Sequence, residues 1–193
     1  MEANKNLDIV QRGLADYLEK KRSIFARFYF LSNDELLEIL SQTKEVRNVR
    51  PHLRKVFEAI ADLEFKDDDT MVAMISAEGE KVDFVKRVDP KDRNVEYWMG
   101  DVERMMTTSI RNVLEISIMD YHAEDEEGNK RLRTDWVRMH PGMCVLNGSQ
   151  VHWTTYVEGR MAANGVAGVA EYVEFLNAQL KDSVLLIRRK LLK

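Results

Sequence analysis

The chain has 193 residues, of which 45% are hydrophobic and 32% are charged, and its formal net charge is −4. This composition is typical of a folded, helix-rich protein, and the weak negative charge gives no support for binding to nucleic acid or to an anionic membrane. The single cysteine, Cys144, excludes an internal disulfide and favours a reducing, cytoplasmic compartment, where we expect a buried thiol. No apolar run approaches the length of about 18 residues that a membrane span needs, and the N-terminus has no secretory signal pattern.

The first predicted element is a helix at about residues 4–22, where apolar side chains recur every three or four positions: Leu7, Val10, Leu14 and Leu18. A dense aromatic stretch follows at residues 25–31. It is short for a helix and too apolar for a free loop, so we expect an extended segment that crosses the core.

The next helix is predicted at about residues 33–44. Ser32 and Glu35 have the spacing of a capping box, in which each side chain accepts a hydrogen bond from the backbone amide of the other residue. A further helix is predicted to begin at Pro51, a residue that suits a first helical turn. Its expected inner face consists of Leu53, Val56, Phe57, Ile60 and Leu63.

Residues 70–86 change to the alternating pattern of strands. Two strand-like runs, at about 71–76 and 80–85, flank Ala77, Glu78 and Gly79, which suit a short hairpin loop. Because an isolated hairpin is only marginally stable in water, this one is expected to pack against helices or against a partner. The acidic run at residues 67–69 lacks the alternating ligands of a calcium loop and is interpreted as a solvated loop.

The second half of the chain is predicted to be helical throughout. A long helix is expected at about 94–121, a polar loop at 122–130, and a short helix at 131–139 with Trp136 facing inward. After the break at residues 141–142, a helix is expected at about 142–162. Asn164 and Gly165 are expected to end it, and a last helix follows. The expected spines are Met143, Leu146, Trp153, Val157 and Met161 in the first of these, and Val169, Tyr172, Val173, Leu176, Leu180, Ile187 and Leu191 in the second.

These elements predict a mainly α fold: an elongated antiparallel bundle of about six or seven helices with one inserted β-hairpin at about 70–86.

Sequence patterns for catalysis are absent, since no phosphate-binding loop, no serine nucleophile elbow and no H-E-x-x-H motif occurs. His140 and Cys144 are four residues apart, but Pro141 interrupts the helical register, and the pair supplies only part of the set of about four ligands that structural zinc needs. We therefore expect no catalytic residue, no cofactor and no metal.

An ordered series of segments resembles the dynein heavy chains. Residues 27–44 (RFYFLSNDELLEILSQTK) resemble a stretch of the linker that precedes the motor ring, and the wording of this stretch is more similar to axonemal than to cytoplasmic heavy chains. Further similar segments follow in the family's order: residues 51–60, 76–82, 95–103 and 141–158. The similarity spans about residues 10–193.

The resemblance implies that residues 1–193 are a central part of the linker (N-terminal region 2), excised from a heavy chain and containing no AAA+ module. In such motors the ring hydrolyses ATP, and straightening of the linker delivers the power stroke. The implied partner is the ring of the same heavy chain, with other dynein subunits as further candidates, and the implied location is the cytoskeleton of the cytoplasm, in the axoneme of a cilium or flagellum. Neither nucleic acid nor a membrane is implied as a partner.

The hairpin tip is our candidate for docking to the ring, through Ala77, Glu78, Gly79, Glu80 and Lys81. Two other functions stay open at this point. A helical scaffold would bind other subunits or another heavy chain, and an enzyme would need a polar pocket with perturbed carboxylates.

Overall fold

The structure, a computed structural model, describes residues 2–41, 45–121 and 131–191. The chain divides into two compact units, unit 1 (Met1–Ser109) and unit 2 (Ile110–Lys193). The helices are α1 (Glu2–Ile24), α2 (Asn33–Ser41), α3 (Leu53–Phe57), α4 (Val95–Asp120), α5 (Arg133–Met139) and α6 (Gly142–Leu191), and the strands are β1 (Asp62–Phe65), β2 (Met71–Ile75) and β3 (Lys81–Val88). Helices dominate and the sheet is small, which confirms the mainly α class.

The helix predicted near the N-terminus is confirmed as α1, but most of its apolar face is exposed. Leu18 is buried, whereas Leu7, Val10 and Leu14 are exposed. Near the C-terminal end of α1, the Lys21 ammonium lies 2.5 Å from the carboxylate of Glu96 on α4. This end of α1 is therefore the part that packs into unit 1.

The prediction of an extended segment at residues 25–31 is wrong. Residues Ala26–Phe30 form a 3-10 helix, which repeats every three residues. That period places Phe25, Phe28 and Leu31 on one buried face, while Tyr29 and Phe30 are exposed. The rings of Phe25 and Phe28 meet edge to face, with 5.0 Å between their centroids. The stretch crosses the core as predicted, but as a tight helix rather than as extended chain.

The capping box that begins α2 is confirmed. The Ser32 amide donates to Oε2 of Glu35 at 3.0 Å, and the Glu35 amide donates to Oγ of Ser32 at 3.3 Å. Leu36 and Ile39 of this helix are buried. The predicted end of this helix, at residues 42–44, lies outside the described residues.

The helix predicted from Pro51 to Leu63 is largely wrong. Pro51 lies in a 3-10 helix (Val46–His52), α3 ends at Phe57, and Glu58 adopts a positive φ of 56°. Leu63 is buried as predicted, but it belongs to β1, where it pairs with Met74. The buried positions fitted a helical period over a short stretch, and pairing with β2 decided the conformation instead.

The hairpin is confirmed, and it is part of a three-stranded antiparallel sheet in the order β1-β2-β3. The central strand β2 pairs on both sides, so that Met74 is opposite Leu63 on one side and Val82 on the other. Side chains that alternate along the strands are buried in unit 1, among them Leu63, Ala73, Val82 and Phe84. The additional strand β1 supplies the support that an isolated hairpin would lack.

The predicted long helix is confirmed as α4, and the predicted short helix with an inward Trp136 is confirmed as α5. Trp136 of α5 is buried, and its indole N–H donates to the carbonyl oxygen of Ser117 on α4 at 2.8 Å. Its ring meets that of Tyr121 edge to face, with 4.9 Å between the centroids. The polar loop predicted at residues 122–130 lies outside the described residues.

Helix α6 consists of two limbs that meet at Gly165, where φ is +57° and ψ is −142°. The position confirms the predicted helix end. Tyr156 in the first limb (142–164) stacks on Tyr172 in the second limb (166–191), with ring centroids 5.5 Å apart. Arg160 and Glu171 also pair across the limbs at 2.7 Å. The limbs therefore fold back on each other as an antiparallel helical hairpin.

The spine predicted for the first limb is wrong. Cys144 and Gly148 are buried instead, and an added Cβ on Gly148 would lie 3.3 Å from the Trp136 ring. The small residues face inward because they leave room for this indole. The predicted spine residues Met143, Leu146, Trp153 and Met161 are exposed, at 49–68%, and Val157 is half-buried.

In the second limb of α6, Tyr172 is buried as predicted, but three other residues of its expected spine are exposed: Val173, Leu180 and Ile187. Helix α6 therefore presents apolar side chains on its outer surface as well as its inner one. No helix in the described residues is both long and apolar enough to cross a membrane.

Candidate functional site

The tip of the β2–β3 hairpin is an exposed, well-ordered turn. Ala77, Glu78, Gly79 and Glu80 are all exposed. The Ser76 amide donates to the Glu80 carbonyl at 2.9 Å, and the Ser76 hydroxyl accepts from the amides of Glu78 and Glu80 at 3.3 and 3.2 Å. Gly79 has φ of +84°, a conformation that suits glycine. The turn thus fixes its backbone and leaves its side chains at the surface.

Lys81 anchors the base of the tip to the opposite edge of the sheet. Its ammonium lies 2.5 Å from Oε2 of Glu64 on β1 and 3.2 Å from Oδ1 of Asp83 on β3. Hydrogen bonding to Glu64, and then to Asp83, raises the pKa of Lys81 above its ordinary value. The lysine spans β2 and ties the three strands together, so it differs from the exposed tip residues in role.

The free edge of β3 is partly closed by α4. The Val85 amide donates to Oγ of Ser109 at 3.0 Å, and Ser109 is fully buried. The pairing of β2 and β3 also shifts register between Met71 and Ala73. A shifted, partly satisfied edge is a poor template for an added strand. Of the two surfaces of the hairpin, the tip is therefore the better candidate for contact.

The acidic run at residues 67–69 binds the protein itself. Oδ1 of Asp68 accepts from the amide of Thr70 at 3.1 Å and from its hydroxyl at 2.7 Å, and these bonds lower the pKa of Asp68. Asp69 pairs with Arg47 at 2.8 Å. These carboxylates stabilise the β1–β2 turn.

His140 and Cys144 do not converge on a common site. Nε2 of His140 lies 3.0 Å from Oδ2 of Asp120, and Cys144 is buried as predicted. Within the described ranges, no group of three or more His, Cys, Asp or Glu side chains is placed to hold a metal ion.

Sequence patterns did not reveal one cavity in unit 2. It lies beside the aromatic side chains of Tyr121, Trp136 and Tyr156, and two arginines of the α5 region, Arg131 and Arg133, line it. The spacing of these arginines around Trp136 was visible in the sequence. The convergence of these arginines with Tyr156 and Asp182 depends on how the two limbs of α6 pack, which no local pattern encodes.

Comparison with known proteins identifies the family of the chain. Residues 1–117 match the family described as "Dynein heavy chain, N-terminal region 2". The chain is 45% identical over 190 residues to dynein axonemal heavy chain 1 of Rattus norvegicus. This match covers 98% of this chain and 4% of the relative. It is 44% identical over 192 residues to dynein axonemal heavy chain 3 of Homo sapiens, and this match covers 98% of this chain and 4% of the relative.

A third relative, dynein axonemal heavy chain 12 of Mus musculus, is 43% identical over 192 residues, with 98% of this chain and 6% of the relative covered. The chain thus spans a small fraction of the length of these relatives. The identity extends along both units, and the family match lies at its N-terminal end. The chain belongs to the dynein heavy chain family.

Proposed function

We propose that the chain is a non-catalytic mechanical element of a dynein motor: a central part of the linker that changes conformation as the AAA+ ring turns over ATP. Its motion would drive microtubule-based motility in the axoneme of a cilium or flagellum. The observation that carries this proposal is the match to N-terminal region 2 together with 45% identity to an axonemal heavy chain. The ring of the same heavy chain is the proposed intramolecular partner.

The internal ties of unit 1 support a mechanical role. A lever must transmit force with little internal deformation, and packed interiors have low compressibility. Lys21 and Glu96 join α1 to α4. Arg27 in the aromatic 3-10 helix pairs with Glu103 of α4 at 2.7 Å and donates to the Val56 carbonyl of α3 at 3.2 Å. Four helical elements (α1, the 3-10 helix, α3 and α4) are thereby held by polar bonds in addition to their apolar core.

The hairpin tip is our proposed point of contact with the ring. Its backbone is fixed by Ser76 and Gly79, while Ala77 and Glu78 are exposed. A preorganised, exposed tip loses little conformational entropy when it docks. Lys81 would support this contact by holding the base of the tip to β1.

The proposal is tested in a motor that contains this chain within its full heavy chain. Deletion of residues 77–81 should leave ATP turnover in place and reduce microtubule gliding velocity, because the ring would lose its contact with the linker. Since the deletion also removes the Lys81–Glu64 pair, a second variant, Ala77→Lys/Glu78→Lys, changes only exposed side chains.

A matched control changes an adjacent exposed alanine and acid on α1, as Ala15→Lys/Asp16→Lys. Gliding velocity should fall in both hairpin variants and stay near the parent value in the control. Unchanged gliding velocity in the hairpin variants, with normal ATP turnover, would exclude the tip as a coupling element.

A helical scaffold that binds other dynein subunits is the second candidate, and the exposed side chains of α6 favour it. Leu146 and Trp153 are 68% and 49% exposed on the outer surface of the first limb, and contiguous exposed apolar surface marks interaction sites. Leu146→Glu/Trp153→Glu should then remove a subunit from purified motors. Full subunit composition with lost gliding would instead favour the mechanical role.

A further inference from the structure

The cavity in unit 2 has a volume of about 260 Å³ and is lined by an arginine that forms no ion pair with the described residues. Arg133, the first residue of α5, lines it, and the guanidinium centre lies 5.7 Å from the centroid of the Trp136 ring. In the described part of the chain, Nε and Nη1 of Arg133 are buried and have no hydrogen-bond acceptor. A buried donor of a charged group without an acceptor is costly, which makes this arrangement unusual.

None of the carboxylates in the described residues forms an ion pair with Arg133. The other arginine in the cavity, Arg131, already pairs with Oδ2 of Asp120 at 3.0 Å, and the same oxygen lies 3.0 Å from Nε2 of His140. Asp182 lines the cavity too, but it supplies no acceptor to the buried Nε and Nη1 of Arg133. Of the residues that the structure describes, two arginines and one aspartate thus line the cavity.

Two further polar residues, Tyr121 and Gln179, line the cavity beside Arg133. Tyr121 lines the cavity and accepts a hydrogen bond at its hydroxyl from the Gln179 amide. Burial raises the pKa of Tyr121, and the nearby charge of Arg133 opposes that rise. Tyr156 lies on the same cavity wall.

We propose that this cavity binds a single oxyanion group, a carboxylate or a phosphate, through the guanidinium of Arg133. A guanidinium presents parallel N–H donors in a planar fork that matches two oxygens of either group. The cavity volume is near the lower end of the range for small-molecule sites, which suits one such group rather than a nucleotide. The oxygens would accept from the donors that have no acceptor among the described residues.

The binding test uses the 193-residue chain and the indole N–H resonance of Trp136 in NMR spectra. Inorganic phosphate and N-acetylglutamate are titrated separately, at constant ionic strength and with chloride as the only other anion. At least one titration should shift this resonance in a saturable manner. A response to phosphate alone identifies phosphate as the source of the oxyanion, and a response to N-acetylglutamate alone identifies a carboxylate.

Two variants and a control assign the effect to Arg133. Arg133→Gln should weaken binding by about tenfold or more, because charged hydrogen bonds are lost. Arg133→Lys should retain part of the affinity, because it keeps the charge and loses the fork. Arg138→Gln changes an exposed arginine on the same helix and should bind like the parent chain.

A stability measurement separates loss of binding from loss of folding. Without oxyanions, Arg133→Met should be at least as stable as the parent chain, since it removes a buried charge that has no acceptor. Oxyanions should raise the melting temperature of the parent chain and not that of Arg133→Met. The proposal is overturned if neither anion shifts the Trp136 resonance, or if Arg133→Gln binds as tightly as the parent chain.

Discussion

The ammonium of Lys21 on α1 lies 2.5 Å from Oε1 of Glu96 on α4, and the Glu96 side chain is only 1% exposed. Oε2 of the same carboxylate is buried and has no hydrogen-bond partner among the described residues. The lysine is thus the compensating charge for a carboxylate that water does not reach. A buried ion pair of this kind adds little to stability compared with apolar packing, but its disruption is costly.

Lys21→Met should therefore destabilise the chain strongly. It leaves the Glu96 carboxylate buried and uncompensated, and we expect the free energy of unfolding to fall by about 3–5 kcal/mol. Urea denaturation followed by circular dichroism measures the change. The double variant Lys21→Met/Glu96→Leu should recover most of the loss, since both charges are then absent. A single variant as stable as the parent would show that water or a mobile cation compensates Glu96.

The capping box of α2 predicts a specific dependence of stability on pH. Hydrogen bonding from Lys55, and then from the Ser32 amide, lowers the pKa of Glu35 from 4.5 to about 2. The folded state therefore favours the carboxylate. The resulting stabilisation is complete above the unfolded pKa of 4.5 and is lost as the pH falls from there towards 2.

Glu35→Gln tests this dependence, because glutamine keeps the capping geometry and removes the charge. Its urea midpoint should lie below that of the parent chain at pH 7, and the two midpoints should converge as the pH falls below the ordinary glutamate pKa. Glu115→Gln on α4, which changes an exposed glutamate elsewhere, serves as the control. A gap between the midpoints that stays constant with pH would contradict the assigned pKa.

The fold-back of α6 requires glycine at position 165. Its φ of +57° with ψ of −142° is a conformation that side chains with a Cβ rarely adopt. Gly165→Ala should lower the free energy of unfolding by about 1–3 kcal/mol. In contrast, Gly159→Ala lies in the helical interior, where an added Cβ meets nothing within 4 Å. That control should stabilise the chain by about 0.5–1 kcal/mol.

Thermal unfolding of the two glycine variants, measured side by side, distinguishes backbone strain from helix propensity. Opposite shifts in melting temperature are expected. If both variants were stabilised, α6 would continue as one helix through residue 165, and the contact between Tyr156 and Tyr172 would not form in solution.

Local patterns determined the elements whose conformation depends on neighbouring residues in the chain. The capping box of Ser32 and Glu35, the β2–β3 hairpin turn at Gly79, and the helix end at Gly165 were all predicted from residue type and spacing. These features arise from hydrogen bonds and backbone preferences within a few residues. The family resemblance was likewise visible in short segments that follow one another in a fixed order, and the comparisons confirm it.

The sequence could not decide which apolar face points inward when an element has several. Residues 25–31 are apolar throughout, and only packing selected a 3-10 helix with Phe28 inside. In the first limb of α6, the large side chains Leu146 and Trp153 suggested a core face, yet the inner position is held by Gly148 because the Trp136 indole needs its space. Likewise, Leu63 became a strand residue because β2 offered its backbone hydrogen bonds.

The two candidate sites also differ in how far they could be predicted from the sequence. The hairpin tip at residues 77–81 could be predicted from the sequence, because its turn is formed by neighbouring residues. The cavity that contains Arg133 could not be predicted, because Tyr121 and Gln179 meet there only after α6 folds back. The sequence by itself thus determined the capping box of α2, the hairpin, the helix end at Gly165 and the family. Tertiary packing decided which side chains are buried and which charges of the described residues lack a partner, because burial depends on contacts between residues far apart in the chain.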